Sequence, residues 1–265
     1  MVLLVVAMSF KVSAAPFHFW APDVYDGAPA VVSSFMMTIV KVAGFIAFFR
    51  LFKTSFETMQ YHWQILIVVI IAATLLIGNI TAVFQRSVKR MLAYSSISHA
   101  GFMMFALFAL NIDTAREGLL LYAGAYSVAT MGIFAVIIKM ADYSIEGFNG
   151  LAKKQPLLAF ASTGFLLSLT GIPLTAGFTA KFYVLLAAVP TKQTLRIVQQ
   201  TEICAAIAAI YYFRVIQAIY FKDPVPGING EIRVTPSFKV WLMVAVALIL
   251  LLGVIPGILI DWIYY

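Results

Sequence analysis

The sequence predicts an all-α polytopic membrane protein with about eight transmembrane helices. Of its 265 residues, 63% are hydrophobic and only 11% are charged, and the mean hydropathy is +0.97. This composition lies far from that of water-soluble domains. Apolar runs of about 18 to 25 residues, the length that crosses about 30 Å of hydrocarbon as a helix, recur along most of the chain. They leave no room for a separate soluble catalytic domain.

The first two predicted elements are a short helix and a proline-rich turn. Residues 1–15 are apolar but shorter than the ~20 residues of a full span, and we do not expect a signal peptide. Residues 16–29 contain three prolines, two aspartates and aromatic side chains typical of membrane interfaces. We expect an ordered connecting turn there, with helix breaks at Pro16 and Pro29.

The remaining spans follow in order. Four continuous helices are predicted at residues 30–52, 63–84, 91–110 and 118–140. The next run, 157–189, is too long for one straight span, and Pro173 removes a backbone donor next to Gly171. We therefore predict one discontinuous helix, with its break around Gly171–Pro173. Spans at 203–221 and 238–260 bring the total to eight.

Two lysines lie deep inside these predicted spans. Lys41 is about eleven residues into its span, which places its Cα ~16 Å deep at 1.5 Å per residue. Lys181 follows the predicted break and has apolar neighbours on both sides. A lysine at the centre of a span costs about 2.5–3.5 kcal/mol and is functional by default. We favour a proton relay; the alternative is a lysine that is bonded to carbonyl groups and only fixes helix packing.

Lys11 and His99 are further candidates. Lys11 precedes Pro16 by five residues; it is interfacial if the first run is a complete short helix and deeper if residues precede it. His99 shares its predicted helix with several hydroxyl side chains, and Ser95 lies four residues earlier on the same face. A proton-wire role and a satisfied structural histidine both remain open for His99.

The sequence offers no pattern for a cofactor or a metal. Its one cysteine, Cys204, lies in an apolar run, so neither a disulfide nor a cysteine-bound metal or iron–sulfur cluster can form within the chain. The three histidines have no haem or metal spacing, and neither a phosphate-binding loop nor a Ser-His-Asp set is present. A net charge of +7 is typical of the loops of membrane proteins and does not indicate nucleic-acid binding. These observations alone predict a polytopic ion-pathway protein.

Three stretches resemble a known family. They are Lys11–Ser34 with its continuation to Lys41, Val88–Gly101, and Leu167–Tyr183. They strongly resemble subunit N (subunit 2) of the proton-translocating NADH-quinone oxidoreductase, respiratory complex I, an antiporter-like family. Two features favour subunit N over its relatives. One is the lysine at 181, where one sister subunit carries a glutamate, and the other is the local sequence Val24-Tyr25 and Gly27-Ala28-Pro29.

The resemblance implies fourteen helices in two inverted repeats, each with a broken helix and buried lysines. Residues 1–60, with the turn 16–29, would be the last two helices of the first repeat. Residues 61–235, with the broken helix 157–189, would be the second repeat, and 236–265 a C-terminal transmembrane helix. The expected fold is thus antiporter-like but lacks the family's N-terminal helices, so we expect either a truncated sequence or the second part of a split subunit.

The resemblance also implies a function. Lys11, Lys41 and Lys181 match the family's pathway lysines, so with His99 they would form a proton pathway, without a redox or catalytic residue in this chain. The chain would be a membrane-arm subunit of a translocase in the respiratory electron-transport chain. NADH, FMN, iron–sulfur clusters and quinone would be bound by partner subunits.

Its partners would be other membrane-arm subunits of complex I, including antiporter-like neighbours, and the lipid bilayer. Its place would be the bacterial inner membrane, or the mitochondrial inner membrane if the chain is organellar. Two alternatives remain: a subunit of a cation/proton antiporter, and a structural membrane scaffold.

Overall fold

The computed structural model is helical in the parts of the chain that it describes, which are residues 1–110, 113–188, 192–226, 232 and 234–264; side chains are described for all of these except 109, 192–199 and 262–264. By length and composition, six helices could cross a membrane: Ala30–Ser55, Glu57–Val83, Val88–Phe108, Asp113–Ile137, Gln200–Phe221 and Pro236–Val254. Shorter apolar helices are Val2–Lys11, Pro156–Thr170 and Ala176–Ala188. The chain is therefore an all-α polytopic membrane protein, as predicted.

The N-terminal region contains a helix that the sequence did not predict. Helix α1 (Val2–Lys11) is followed by turns that include Pro16 and then by α2 (Trp20–Gly27). We expected only a connecting turn over residues 16–29. Pro22 is the third residue of α2, in a first turn where backbone N–H groups have no intrahelical acceptor, so the missing donor costs no hydrogen bond.

Helix α3 (Ala30–Ser55) begins directly after Pro29 and is not α-helical throughout. Its residues Met36–Val40 form a π-helical turn that ends immediately before Lys41. Such single-turn widenings are rare and occur often at functional sites. The irregular turn therefore sets the direction in which Lys41 leaves the helix.

Three of the predicted continuous spans match α4 (Gln60–Val83), α5 (Val88–Met104) and α6 (Asp113–Ile137). Helix α5 is the most enclosed of the long helices, because 94% of the residues in its most apolar 18-residue stretch are buried. Gly78 brings α4 very close to it, because a Cβ there would lie 2.7 Å from the backbone nitrogen of Ser98. Helix α5 is thus the central helix of the bundle.

The predicted discontinuous helix is confirmed. Helix α7 (Pro156–Thr170) ends at Gly171, which adopts a left-handed conformation (φ 87°), and α8 (Ala176–Ala188) starts after Pro173. Neither half reaches the ~20 residues that one span needs. Val189, the last residue of the predicted run, lies outside the described residues.

The C-terminal region differs from the prediction. Helix α9 (Lys192–Phe221) contains the predicted span 203–221, but the span predicted at 238–260 is two helices, α10 (Pro236–Val254) and α11 (Gly257–Tyr264). Pro256 has no N–H group, and its ring would clash with the carbonyl group four residues earlier, so the helix stops. Ile255, the residue before this proline, has already left the helical conformation (φ −127°, ψ 74°).

Candidate functional site

Lys41 is buried against the central helix. Its side chain is 1% exposed, and Nζ donates to the carbonyl oxygen of Ser96 at 2.8 Å and to Ser96 Oγ at 3.0 Å. The Tyr25 ring lies 5.9 Å from the same nitrogen. In the described part of the chain no carboxylate lies within 4 Å of this ammonium group. Neutral oxygens and an aromatic face therefore surround the Lys41 amine.

Lys181 is held by the helix break. Its Nζ donates to the carbonyl oxygens of Leu169 at 3.1 Å and Thr170 at 2.8 Å, and it lies 4.9 Å from the centre of the Phe102 ring. Carbonyl groups in the last turn of a helix lack intrahelical partners, and this end of the helix dipole is negative. The break thus supplies the acceptors for a buried lysine, which is 8% exposed.

His99 lies between tyrosines, three residues after the Ser96 that binds Lys41. Its Nδ1 is 2.8 Å from the Tyr122 hydroxyl, and its Nε2 is 3.2 Å from the Tyr212 hydroxyl. The Tyr212 hydroxyl is also hydrogen-bonded to Ser95. Both ring nitrogens are therefore engaged, which fits a satisfied structural histidine and a relay group equally well.

A narrow cavity joins His99 to Lys181. Its lining also includes Tyr122, Ala125, Tyr126, Ser168, Leu169, Gly177 and Ala180. The open space is about 10 Å³, close to the minimum for one water molecule. Within the described residues the Tyr126 hydroxyl is buried and has no hydrogen-bond partner. Because buried hydroxyl groups normally have a partner, this oxygen is suited to bind a water molecule in the cavity.

Lys41, His99 and Lys181 are thus arranged in that order along α5, with Lys41 at Ser96 and Lys181 at Phe102, whereas no hydrogen bond of the described residues joins Lys11 to them. Lys41 binds one turn of α5, His99 lies on the next turn, and the cavity leads from there to Lys181. Lys11 ends α1 as an exposed residue, and the described structure gives it no hydrogen bond or ion pair.

The tyrosines of this site were missed by the sequence analysis. Tyr122 and Tyr126 are four residues apart and therefore share one face of α6, a spacing that could have indicated a polar stripe in an apolar span. Tyr212 carries no such signal, because it is 113 residues from His99 in the sequence.

A second buried polar cluster lies beside the first. Asn79 donates to Ser98 Oγ at 2.8 Å and accepts from the Tyr211 hydroxyl at 3.2 Å. It ties α4, α5 and α9 together at the level of His99. Every polar atom of Asn79 has a partner, so the cluster fixes helix packing.

One end of α5 is fixed to α2. Lys89 is buried and donates to the carbonyl oxygens of Asp26, at 2.7 Å, and Ala28. Arg90 pairs with Asp23 at 2.8 Å and lies 3.6 Å from Asp26. These contacts hold the proline-rich segment against the helix that carries His99.

Outside the membrane-spanning helices, Lys153 and Asp223 form an exposed ion pair. Lys153 donates to Asp223 at 2.5 Å, and this hydrogen bond lowers the pKa of the exposed Asp223 carboxyl. Among the described residues no group of three or more His, Cys, Asp and Glu side chains could hold a metal ion.

Comparison with known proteins places this arrangement in context. Residues 1–205 match the family described as NADH:quinone oxidoreductase/Mrp antiporter, TM. NADH-quinone oxidoreductase subunit N 1 of Solibacter usitatus is 39% identical over 260 residues, covering 96% of this chain and 53% of that protein. Subunit N of Parafrankia sp. is 40% identical over 266 residues, covering 98% and 50%. The chain spans about half the length of these relatives.

Solved structures show the same fold. A chain of respiratory complex I from Thermus thermophilus with bound aureothin has a TM-score of 0.80 and 34% identity, covering 96% of this chain and 56% of that one. A chain of the Mrp complex from Dietzia sp. has a TM-score of 0.84 at 20% identity, covering 97% and 56%. The second likeness concerns the fold alone.

Proposed function

Because the chain belongs to the NADH:quinone oxidoreductase/Mrp antiporter transmembrane family, we propose that it translocates protons in the membrane arm of an NADH-quinone oxidoreductase. Relatives at 39% and 40% identity confirm the resemblance to subunit N that the three sequence stretches indicated. The proposal assigns NADH oxidation, FMN, iron–sulfur clusters and quinone reduction to partner subunits. Other membrane-arm subunits would be its neighbours in the bacterial inner membrane, or in the mitochondrial inner membrane if it is organellar.

The observation that carries the proposal is the buried polar path from Lys41 to Lys181. Lys41 donates to Ser96, His99 follows on the next turn, and a cavity with hydroxyl groups in its wall leads to Lys181. Each lysine is bonded to neutral oxygens, so its amine can gain or lose a proton without breaking an ion pair. Protons would pass laterally from Lys41 through His99 to Lys181.

Lys11 has a separate place in the proposal. It would serve a pathway of the first repeat, because it ends the short helix before the break that contains Pro16. In the same scheme residues 1–60 belong to the first antiporter-like repeat, 61–235 form the second repeat, and 236–265 are the C-terminal part. The break after Lys11 and the break before Lys181 would be corresponding features of the two repeats.

The test uses the native complex in membrane vesicles. Lys41→Ala and Lys181→Ala should each reduce proton pumping at least tenfold, and quinone reduction should slow with it, because the two processes are coupled. Lys153→Ala is the matched control, since that lysine is exposed and pairs with Asp223. Pumping and quinone reduction that both stay at the control level in both variants would refute the proposal.

A cation/proton antiporter is the second candidate, because the family also includes Mrp antiporters and the fold matches a chain of an Mrp complex. The proteins that copurify with this chain distinguish the antiporter from the oxidoreductase. Recovery with cation-antiporter subunits, and without flavin and iron–sulfur proteins, would favour the antiporter. A purely structural scaffold predicts unchanged pumping when Lys181→Met removes the charge but keeps the approximate length.

A further inference from the structure

A groove between α3 and α6 is lined by three cationic side chains. Arg50 and Lys53 project from the end of α3, and Arg116 projects from the start of α6. The groove has a volume of about 370 Å³, and no acidic residue lines it. Arg50 lies nine residues beyond Lys41 in α3, about 14 Å along the helix, and no residue of the proton path lines the groove.

The lining changes from charged to apolar with depth in the membrane. Arg50 and Lys53 lie five and two residues before the end of α3, and Arg116 lies three residues after the start of α6, which places all three within about 8 Å of a helix end. Up to about one turn deeper, the wall consists of Ile46, Phe49, Leu119 and Leu120. A phospholipid has the same order, with a polar headgroup layer of about 5–7 Å above the hydrocarbon.

Arg50 and Lys53 at the rim of the groove lack an acidic partner in the described part of the chain, where no carboxylate lies within 4 Å of either cation. Two cations that share one groove repel each other, and an anion between them removes this repulsion. Arginine and lysine are the residues that most often bind phosphate groups in proteins.

We propose that this groove binds the phosphate group of an anionic phospholipid, with Arg50, Lys53 and Arg116 around the phosphate and an acyl chain against Ile46 and Phe49. Basic pockets between transmembrane helices are known to bind anionic headgroups. A free phosphate ion would use the cations but not the apolar wall. An acidic segment of a neighbouring subunit would likewise leave the deeper part unfilled.

The experiment measures lipid binding to the native assembly after delipidation in detergent. Phosphatidylglycerol is titrated against the wild type, the double variant Arg50→Gln/Lys53→Gln and the matched double variant Lys153→Gln/Lys222→Gln, which removes two exposed charges elsewhere. The Kd for phosphatidylglycerol should rise at least tenfold in the first double variant only. Zwitterionic phosphatidylcholine should bind more weakly and equally to all three. An unchanged Kd overturns the proposal.

Two further measurements, a phosphate competition and a cross-linking experiment, identify the source of the bound anion. Inorganic phosphate at millimolar concentration should not displace phosphatidylglycerol; complete displacement would mean a free-phosphate site and overturn the proposal. A carbodiimide cross-link from Lys53 to a partner carboxylate in the native, lipid-containing assembly would indicate an acidic protein segment and also overturn it. If the double variant does not assemble, Lys53→Gln alone should raise the Kd about threefold, and an unchanged value again refutes the lipid site.

Discussion

Lys181 in α8 packs directly against Gly171, the residue at which the preceding helix α7 ends. A Cβ at Gly171 would lie 3.0 Å from Cδ and 3.1 Å from Nζ of Lys181. The absence of a side chain at the break therefore makes room for the lysine that donates to the two preceding carbonyl groups. The break and the lysine form one structural unit.

Gly171→Ala should displace the Lys181 ammonium group. The left-handed backbone alone costs a non-glycine residue about 1–2 kcal/mol, and the contact with Lys181 adds to that cost. We expect a lower thermal midpoint and slower pumping. Gly27→Ala is the control, because a Cβ there meets nothing within 4 Å. Equal pumping rates in the two variants would show that the contact is unimportant.

His99→Met should slow pumping less than Lys41→Met or Lys181→Met. A water molecule can replace an intermediate proton carrier in the cavity, whereas it cannot replace a group that changes charge. We expect a loss of a few fold for His99 and at least tenfold for each lysine, where tenfold in rate corresponds to about 1.4 kcal/mol. Initial pumping rates in vesicles measure this order. The reverse order would contradict the replacement of His99 by a water molecule.

Tyr126→Phe should slow pumping without loss of stability. The hydroxyl is buried without a partner, and an unsatisfied buried group costs about 1–3 kcal/mol, so its removal should leave the thermal midpoint unchanged or raise it. Tyr122→Phe is the matched control, because it removes the 2.8 Å hydrogen bond to His99 and should lower the midpoint. A Tyr126→Phe protein that pumps at the wild-type rate would remove this hydroxyl from the path.

Two neighbouring cations at the start of α5 should differ in their effect on stability. Lys89→Gln should lower the free energy of unfolding by about 1–3 kcal/mol, because it leaves two carbonyl groups without their buried donor. Arg90→Gln should cost about 1 kcal/mol or less, since its partner Asp23 is 74% exposed. Thermal unfolding of the two variants at low and high salt tests this, and only the Arg90 contribution should decrease with salt. An equal loss in both would contradict the difference in burial.

The sequence predicted the features that depend on local composition. Lys41 and Lys181 stood out because a charge within an apolar run needs an internal partner, and Gly171 with Pro173 indicated the interruption. Helix α2 was missed because the three prolines and the polar residues of segment 16–29 are typical of a turn, although Pro22 occupies a position where helices accept proline. The contact of His99 with Tyr212 could not be predicted, since it depends on how two distant helices pack.

The π-helical turn at Met36–Val40 imposes a constraint on chain length. One residue corresponds to about 100° of rotation in an α-helix, and a π turn accommodates one residue more than an α turn. A regular α-helix with the same number of residues would rotate Lys41 by about 100° relative to the preceding part of α3, away from Ser96, whereas removing one of the five residues would let the helix close with Lys41 near its present direction. This segment should therefore tolerate substitution, such as Ile39→Ala at an exposed position, but not insertion of a further residue, which the turn cannot absorb. Pumping assays on the two kinds of variant would distinguish a requirement for particular side chains from a requirement for residue number.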